Sequence, residues 1–232
     1  MNQAKKSYKI VWEEKIDAVQ HYFKKNNGMI TIIAGVILLI AAGGYGYRYW
    51  NRQKEQAAHT ILHDCLSEYE GAQQGKANWA DVAAMCQAGY EKFKGTAIAP
   101  YILAVAIDCL LADQKQPEAL EKINIMLSKV NKSPLYNLYA LKRALLILDM
   151  PDTALHSQAL ATIEQLANDT KNIYNDSAQY YAGYYYRQQG NTQKAMEFWN
   201  TLIANNKEIT EQGRSPWAAL AQEKMGGLPH AG

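Results

Sequence analysis

Residues 176–203 read DSAQYYAGYYYRQQGNTQKAMEFWNTLI, and they decide the fold of this chain. Apolar residues recur at helical spacing on both sides of Gly190, which indicates two α-helices joined by a turn. A glycine at that point allows the left-handed backbone that often ends a helix. Small residues at Gly183 and Ala195 let the two helices approach closely, and Tyr186 and Trp199 fill the gap to the next pair. The stretch therefore predicts a helical hairpin.

The order of residues in this hairpin is typical of a tetratricopeptide repeat. The matching positions are small, aromatic, small and bulky in turn: Ala182, Gly183, Tyr186, Gly190, Ala195, Trp199 and Leu202. A shift of 76 residues superposes an earlier segment on the last three of them, with Ala119, Ile123 and Met126 in their places. We therefore expect at least one further copy of the hairpin.

Helix-breaking residues divide the rest of the chain into further pairs. We expect a first pair at about 49–73 and 78–93, a second from Pro100, and a third at about 135–148 and 154–167. A last helix, Trp217–Met225, should cap the final hairpin, because the outermost unit of a stacked array otherwise exposes its apolar face. The predicted fold class is all-α, an N-terminal transmembrane helix followed by a tetratricopeptide-like α-solenoid of helical hairpins. A plain helical bundle with accidental periodicity is the alternative.

The predicted transmembrane helix lies in a stretch without charge, from Asn26 to Tyr47. Its core, MITIIAGVILLIAAGGYGY at 29–47, would rise about 28 Å as an α-helix, close to the hydrocarbon thickness of about 30 Å. Basic and aromatic residues flank it as they do at a membrane interface: Lys24, Lys25, Arg48, Tyr49 and Trp50. We predict a transmembrane signal anchor over 29–50. A buried core helix and a cleaved signal peptide are the alternatives.

The distribution of positive charge predicts the topology. Six lysines precede the span, whereas three basic residues follow it closely. By the positive-inside rule the head, residues 1–28, stays in the cytoplasm and residues 51–232 are exported. The head carries an apolar helical stripe of Trp12, Ile16, Val19 and Phe23. Such a helix lies on the lipid surface or docks on another membrane protein.

The order of parts resembles the YfgM-like family, the ancillary SecYEG translocon subunits of Gram-negative bacteria. The resemblance rests on the head WEEKIDAVQHYFKKNNG, the anchor end GYGYRYWN, the degenerate repeats and the terminal SPWAALAQEKMGGL. It implies a single-pass protein of the bacterial inner membrane whose repeat domain is periplasmic. It also implies protein partners, namely Sec translocon subunits and a membrane-anchored periplasmic chaperone, in addition to the lipid bilayer.

Charge and motifs argue against several classes of function. The chain has 24 Lys+Arg and 22 Asp+Glu, a net charge of +2, which disfavours a nucleic-acid-binding protein. The sequence contains no phosphate-binding loop, nucleophile elbow or zinc-finger spacing. His59 and His63 lie four residues apart, but Thr60 stands where a metalloprotease helix has glutamate. We predict no enzymatic activity, no catalytic or metal-ligating residue, no cofactor and no small-molecule substrate.

The three cysteines bear on the compartment. Cys65 and Cys86 fall on the two arms of the first predicted hairpin, so they are the best candidates for a disulfide in an oxidising compartment. The alternative is that they and Cys109 are small buried thiols.

Tyrosines supply the candidate binding residues. Tyr180, Tyr184, Arg187 and Gln188 map onto the inner face of the best hairpin, and the preceding pair adds Tyr136, Tyr139 and Arg143. Tyrosine offers a large contact area at a low cost in conformational entropy, which suits the capture of peptide segments. The alternative is that half of these rings belong to the core between repeats.

Two functions therefore compete. The first is a membrane-anchored protein-interaction scaffold that links the export channel to periplasmic chaperones and newly exported chains. The second is a structural scaffold subunit of a multi-protein cell-envelope assembly. Crosslinking would separate them, because the first requires varied clients and the second a few fixed neighbours.

Overall fold

A computed structural model of the protein describes residues 27–131, 134–206 and 215–226. This part of the chain contains helices and no strand. The helices are α1 (Asn27–Gln73), α2 (Trp79–Phe93), α3 (Ala99–Ala112), α4 (Gln116–Lys129), α5 (Pro134–Asp149), α6 (His156–Asn168), α7 (Asn175–Gln188), α8 (Thr192–Asn205) and α9 (Pro216–Gly226). The predicted hairpin pairs and the last helix agree with these bounds.

The chain divides into two units, of which the first ends at Ala57 and the second begins at Ala58. In the first unit, the apolar side chains of Val36, Leu38, Leu39 and Ile40 are exposed. Within the residues described above, no helix combines the length and the apolar character that crossing a membrane requires. The head helix predicted within residues 1–28 falls almost entirely outside those residues.

Local sequence explains where the helices of the second unit begin. Proline occupies the first turn of four of them, where its missing N–H has no helical partner to lose: Pro100, Pro117, Pro134 and Pro216. Two others begin at an asparagine cap. The side chain of Asn78 accepts from the Ala80 N–H at 2.8 Å, and that of Asn191 accepts from the Lys194 N–H at 3.1 Å.

The turns inside two hairpins have the same backbone design. Gly190 has φ +77°, and the N–H of the following Asn191 donates to the Tyr186 carbonyl at 2.9 Å. Gln114 lies 76 residues earlier, with φ 59°, and there the Lys115 N–H donates to the Leu110 carbonyl at 2.9 Å. In both turns the N–H just past the helix end donates to the carbonyl five residues earlier. This hydrogen bond closes a helix end when the residue before the donor has left-handed backbone angles. The predicted turn at Asp113–Pro117 is therefore a true copy.

The second unit is a stack in which successive helices pack against one another from α2 to α9. The six residues that the 76-residue shift superposes, Ala119, Ile123, Met126, Ala195, Trp199 and Leu202, are all 0% exposed. They occupy the same buried positions of α4 and α8. The structure thus confirms a solenoid of repeated hairpins.

Helix α5 is shared by two hydrophobic cores. Its residues Tyr139 and Leu146 pack with α2, α3 and α4, whereas Ala140, Leu141 and Ile147 pack with α6, α7 and α8. Both cores therefore depend on one helix that is apolar on opposite faces, as a central helix of a stack must be.

Helices α7 and α8 approach each other closely at Gly183. A Cβ atom built there would lie 2.6 Å from Cδ1 of Trp199. The indole cannot move aside easily, because it is 0% exposed and its Nε1 donates to the Tyr180 carbonyl at 3.1 Å. Glycine at 183 is therefore required by the size of Trp199. The predicted close approach is confirmed, whereas Trp199 packs against Gly183 of its own hairpin, which the sequence did not indicate.

A disulfide joins the first hairpin of the second unit. Cys65 in α1 and Cys86 in α2 are bonded, with their Cα atoms 5.7 Å apart, and Cys109 is a buried free thiol. The sequence left the bond open between these two candidates and free thiols; the structure shows the bond, and only Cys109 matches the alternative of a buried thiol.

Candidate protein-binding groove

A groove of ≈ 450 Å³ opens between α5, α7 and α9. Its lining includes Tyr180 and Tyr184, two of the predicted binding residues. The complete lining is Leu145, Asp149, Tyr180, Tyr181, Tyr184, Tyr185, Trp217, Leu220 and Lys224. We call this surface the tyrosine groove.

The aromatic rings of the tyrosine groove form one connected series. The rings of Tyr180 and Tyr184 are stacked, with centroids 6.5 Å apart and planes 17° apart. Trp217 lies with its centroid 5.4 Å from that of Tyr180 and 5.3 Å from that of Tyr181. Tyr180 and Tyr185 are 8% exposed and form the floor, whereas Tyr181, Tyr184 and Trp217 are half-buried. The half-buried rings remain partly accessible to solvent.

Hydrogen bonding and burial keep the floor of the groove uncharged. The Tyr185 hydroxyl donates to Oδ1 of Asp149 at 2.7 Å. Burial, with the Asp149 carboxylate beside it, raises the pKa of Tyr185. Burial also raises the pKa of Tyr180 and of Tyr181. At neutral pH these phenols are protonated. The Tyr185 proton is used in the bond to Asp149, whereas the hydroxyls of Tyr180 and Tyr181 can donate to a ligand.

Helix α9 runs beside α7 in the same direction. Trp217, near its start, contacts Tyr180 and Tyr181, whereas Lys224, near its end, accepts at its carbonyl from Nη1 of Arg187 at 3.1 Å. The last helix therefore occupies the place of the first helix of another hairpin. Arg187 holds it there, and Gln188 is exposed and does not line the groove.

The predicted binding residues on α5 do not line the tyrosine groove. Tyr139 is 1% exposed, and its hydroxyl lies 3.1 Å from both the Ala104 carbonyl and Oδ1 of Asp108. The same Asp108 oxygen accepts from Nζ of Lys142 at 2.6 Å. Tyr139 is thus part of the packing of α5 on α3, so the prediction that it lines an open face needs correction.

Tyr136 and Arg143 also lie elsewhere. Nε of Arg143 donates to Oδ1 of Asn124 in α4 at 2.7 Å, which links two helices of the stack. Tyr136 lines a second groove, of ≈ 370 Å³, at the start of α5. Its other lining residues are Pro134, Asn137, Gln165, Asp169, Lys171 and Ile173. The residues predicted on a single face therefore have different places. Tyr180 and Tyr184 line the tyrosine groove, Tyr136 lines the second groove, Tyr139 is buried and Arg143 links two helices.

The family model of the tetratricopeptide repeat-like domain matches residues 20–224. This chain belongs to that family. No curated protein sequence and no solved structure matches it. Domains of the tetratricopeptide repeat-like class are typically non-catalytic modules that mediate protein–protein interaction. Protein binding is therefore the coarse function that the family assigns to this stack.

Sequence reasoning identified two of the nine residues that line the groove of this tetratricopeptide repeat-like domain, Tyr180 and Tyr184. Tyr181, Tyr185 and Trp217 line it and were not among the predicted residues. The sequence did contain a signal for two of them, because Tyr181 and Tyr185 share a helix face with the predicted Tyr184 by their spacing. Nothing in the spacing indicated that α9 would supply the opposite wall.

The residues predicted at the membrane interface fall in two places. Lys24 and Lys25 lie outside the described residues. Arg48, Tyr49 and Trp50 lie in α1, where Tyr49 is 59% and Trp50 60% exposed. Nζ of Lys54 lies 5.4 Å from the centroid of the Trp50 ring, a cation–π contact.

In the part of the tetratricopeptide repeat-like chain that the structure describes, no group of three or more metal-ligating side chains occurs. His59 and His63 are exposed on α1, and Cys65 beside them is held in the disulfide.

Proposed function

We propose that the chain is a protein-interaction scaffold that binds segments of other proteins in the tyrosine groove. The observation that carries this proposal is the series of five connected aromatic rings, of which Tyr181, Tyr184 and Trp217 remain half-exposed. Tyrosine and tryptophan dominate the energetics of protein interfaces, because each contributes a large rigid surface and a polar tip. A groove walled by them is suited to holding a short segment of a partner.

The groove is also built on rigid elements. Its walls come from three helices, and the floor is fixed by the bond between Tyr185 and Asp149. The third wall is held by the bond between Arg187 and the Lys224 carbonyl. A preorganised surface loses little conformational entropy on binding, which favours affinity.

We further propose that residues 29–50 anchor the chain in a bacterial inner membrane. The absence of charge from Asn26 to Tyr47, between two lysines and Arg48, supports the anchor. The excess of lysine before it supports a cytoplasmic N-terminus. The disulfide Cys65–Cys86 supports a periplasmic location of the repeat domain, because disulfides persist in oxidising compartments.

The finer part of the proposal concerns partners. The resemblance to ancillary translocon subunits supports Sec translocon subunits and a membrane-anchored periplasmic chaperone as neighbours. In this account the anchor places the tyrosine groove beside the export channel, where it receives newly exported chains and passes them to chaperones. No step of this function requires a bond to be made or broken in the client.

A capture experiment tests the proposal. The full chain, expressed in membranes and purified with its partners, should lose most of them when Tyr184 is replaced by alanine. Tyr101→Ala is the matched control, because Tyr101 is 50% exposed on α3 and lies outside the groove. Equal capture by the two variants would remove the groove from the function.

A second candidate is a structural subunit that bridges fixed neighbours in a cell-envelope assembly. It is favoured by the second groove, where Ile173 is 71% exposed beside Tyr136. Two separate surfaces would let one stack hold two partners at once. Ile173→Asp should abolish one fixed partner under this candidate and leave client capture unchanged under the first.

A further inference from the structure

The exposed walls of the tyrosine groove carry hydrogen-bond donors for which the protein itself provides no acceptor. Within the described residues, the hydroxyls of Tyr181 and Tyr184 and Nε1 of Trp217 have no hydrogen-bond partner. The indole N–H of Trp217 is a donor only, and a phenol hydroxyl readily donates. By contrast, Asp149, an acceptor in the groove, already receives the Tyr185 hydroxyl.

This pattern favours a ligand that offers acceptors. A peptide in an extended β conformation brings an N–H with nearly every residue, and each buried N–H requires an acceptor. A proline-rich segment differs, because proline has no N–H while its carbonyl remains. In the polyproline II helix no carbonyl is used internally, so each can accept from a tyrosine or tryptophan.

The size of the groove agrees with such a segment. Trp217, Leu220 and Lys224 line the α9 wall over seven residues, which corresponds to about 10 Å along a helix axis. One turn of polyproline II takes three residues and rises about 9 Å. The groove thus matches one full turn, with the rings of Tyr181, Tyr184 and Trp217 as its contact faces.

Charge does not favour the obvious competitor, a basic segment. Asp149 is paired with a hydroxyl, and Lys224 places a positive charge in the same lining. The lining therefore holds one carboxylate and one ammonium group, and it has no net negative charge that would attract lysine or arginine.

We propose that the tyrosine groove binds proline-rich segments in the polyproline II conformation. This inference rests on the proposed protein-binding function and names the class of segment. Such segments are recognised by aromatic-lined grooves in unrelated domains, because their stiffness lowers the entropic cost of binding. A proline-rich linker or tail of a neighbouring envelope protein, or of an exported chain, would supply it.

The test uses the full chain in a neutral detergent and a fluorescently labelled decaproline peptide, with binding followed by anisotropy. Two unlabelled ten-residue peptides compete, one of glycine and serine and one apolar without proline. The variant Tyr181→Phe/Tyr184→Phe keeps the rings and removes both hydroxyls, and Tyr101→Phe is the matched control. We expect decaproline to bind at least about tenfold more tightly than either competitor. The double variant should weaken it about tenfold, since each lost hydrogen bond costs about threefold or more, and the control should leave it unchanged.

Each other outcome contradicts the inference in a recognisable way. If the proline-free apolar peptide binds as tightly and Tyr184→Ala weakens it, the groove binds peptides but not proline-rich ones, and the proposed function stands. If decaproline binds equally to the double variant and to the wild type, the two tyrosine hydroxyls do not donate hydrogen bonds to the peptide carbonyls. If Tyr184→Ala instead dissociates a dimer that excludes decaproline, the occupant is a second copy of the chain. Loss of the proposed function itself would appear in the capture experiment, as equal capture by Tyr184→Ala and Tyr101→Ala.

Discussion

Replacing Gly183 by alanine should destabilise the last hairpin although alanine is the better helix former. The added methyl would meet the Trp199 ring at contact distances of 2.6 and 2.7 Å for two of its atoms. The ring is 0% exposed and is tied to the Tyr180 carbonyl, so it has little room to move. The pairing of α7 with α8 must therefore open or strain.

The magnitude follows from two opposing terms. Overpacking a filled core by one methyl costs about 1–3 kcal/mol, and the Gly→Ala change in a helix contributes about 1 kcal/mol in favour of folding. The clash involves a rigid aromatic ring, so the upper part of the first range applies, and we expect a net loss of about 1–2 kcal/mol. Gly71→Ala is the matched control. Its Cβ would meet only Ala77, at 3.8 Å, so this variant should gain up to about 1 kcal/mol.

Urea denaturation of the full chain, followed by tryptophan fluorescence, measures both variants. The combination Gly183→Ala/Trp199→Phe provides a double-mutant cycle. On the smaller phenylalanine background, the added cost of the alanine should fall to near zero. If Gly183→Ala is as stable as Gly71→Ala, or if the cost of the alanine persists on the phenylalanine background, the close packing described above is wrong.

Four further predictions test other parts of the structure. Gly190→Ala should cost about 1 kcal/mol of stability, because φ is +77° and no atom lies within 4 Å to compensate; thermal unfolding measures it. The disulfide links cysteines 21 residues apart, and removing it as Cys65→Ala/Cys86→Ala should cost about 3 kcal/mol of stability. Reductant should lower the denaturation midpoint of the wild type and leave that of the variant unchanged. Burial raises the pKa of the Cys109 thiol to about 11, so a thiol reagent at pH 8 should label no cysteine in the native chain, one after unfolding, and three after reduction. Tyr139→Phe should cost about 1 kcal/mol at pH 7. Because burial and Asp108 raise the pKa of Tyr139, that contribution is complete below the unfolded tyrosine pKa of about 10 and is lost at higher pH, so the variant should show a smaller alkaline loss of stability.

The repeated hairpin could be predicted because its cause is local. The small residues at Gly183 and Ala195 and the large Trp199 must occur at fixed spacing, and 76 residues earlier Ala119 and Ile123 repeat part of that pattern. The other four of these residues are 0% exposed, and Gly183 is buried against the indole of Trp199. The candidate cysteine pair could be named for a similar reason, because two arms of one hairpin must lie side by side, but the spacing did not decide whether the bond forms.

The surface was harder to predict, because helical spacing gives a face but not what covers it. Tyr139 and Tyr184 both lie on first helices of hairpins, yet Tyr139 is covered by α3 through Asp108 and Ala104. Tyr184 remains half-exposed. Which tyrosine is covered depends on contacts between residues about 30 positions apart, which no local pattern contains.

The opposite wall of the groove illustrates the same limit. The sequence predicted the capping helix but not its direction. Only the contacts of Trp217 with Tyr180 and Tyr181, and of Lys224 with Arg187, show that α9 runs parallel to α7. That direction places the indole among the tyrosines and completes the groove.

Photo-crosslinking in living cells tests the central claim most directly, namely that the stack acts by binding protein segments in the tyrosine groove. A photoreactive amino acid in place of Tyr184 should yield covalent adducts with other proteins after irradiation, and the same residue in place of Tyr101 should yield few. Adducts of equal number and identity at the two positions, or their absence at position 184, would contradict the account.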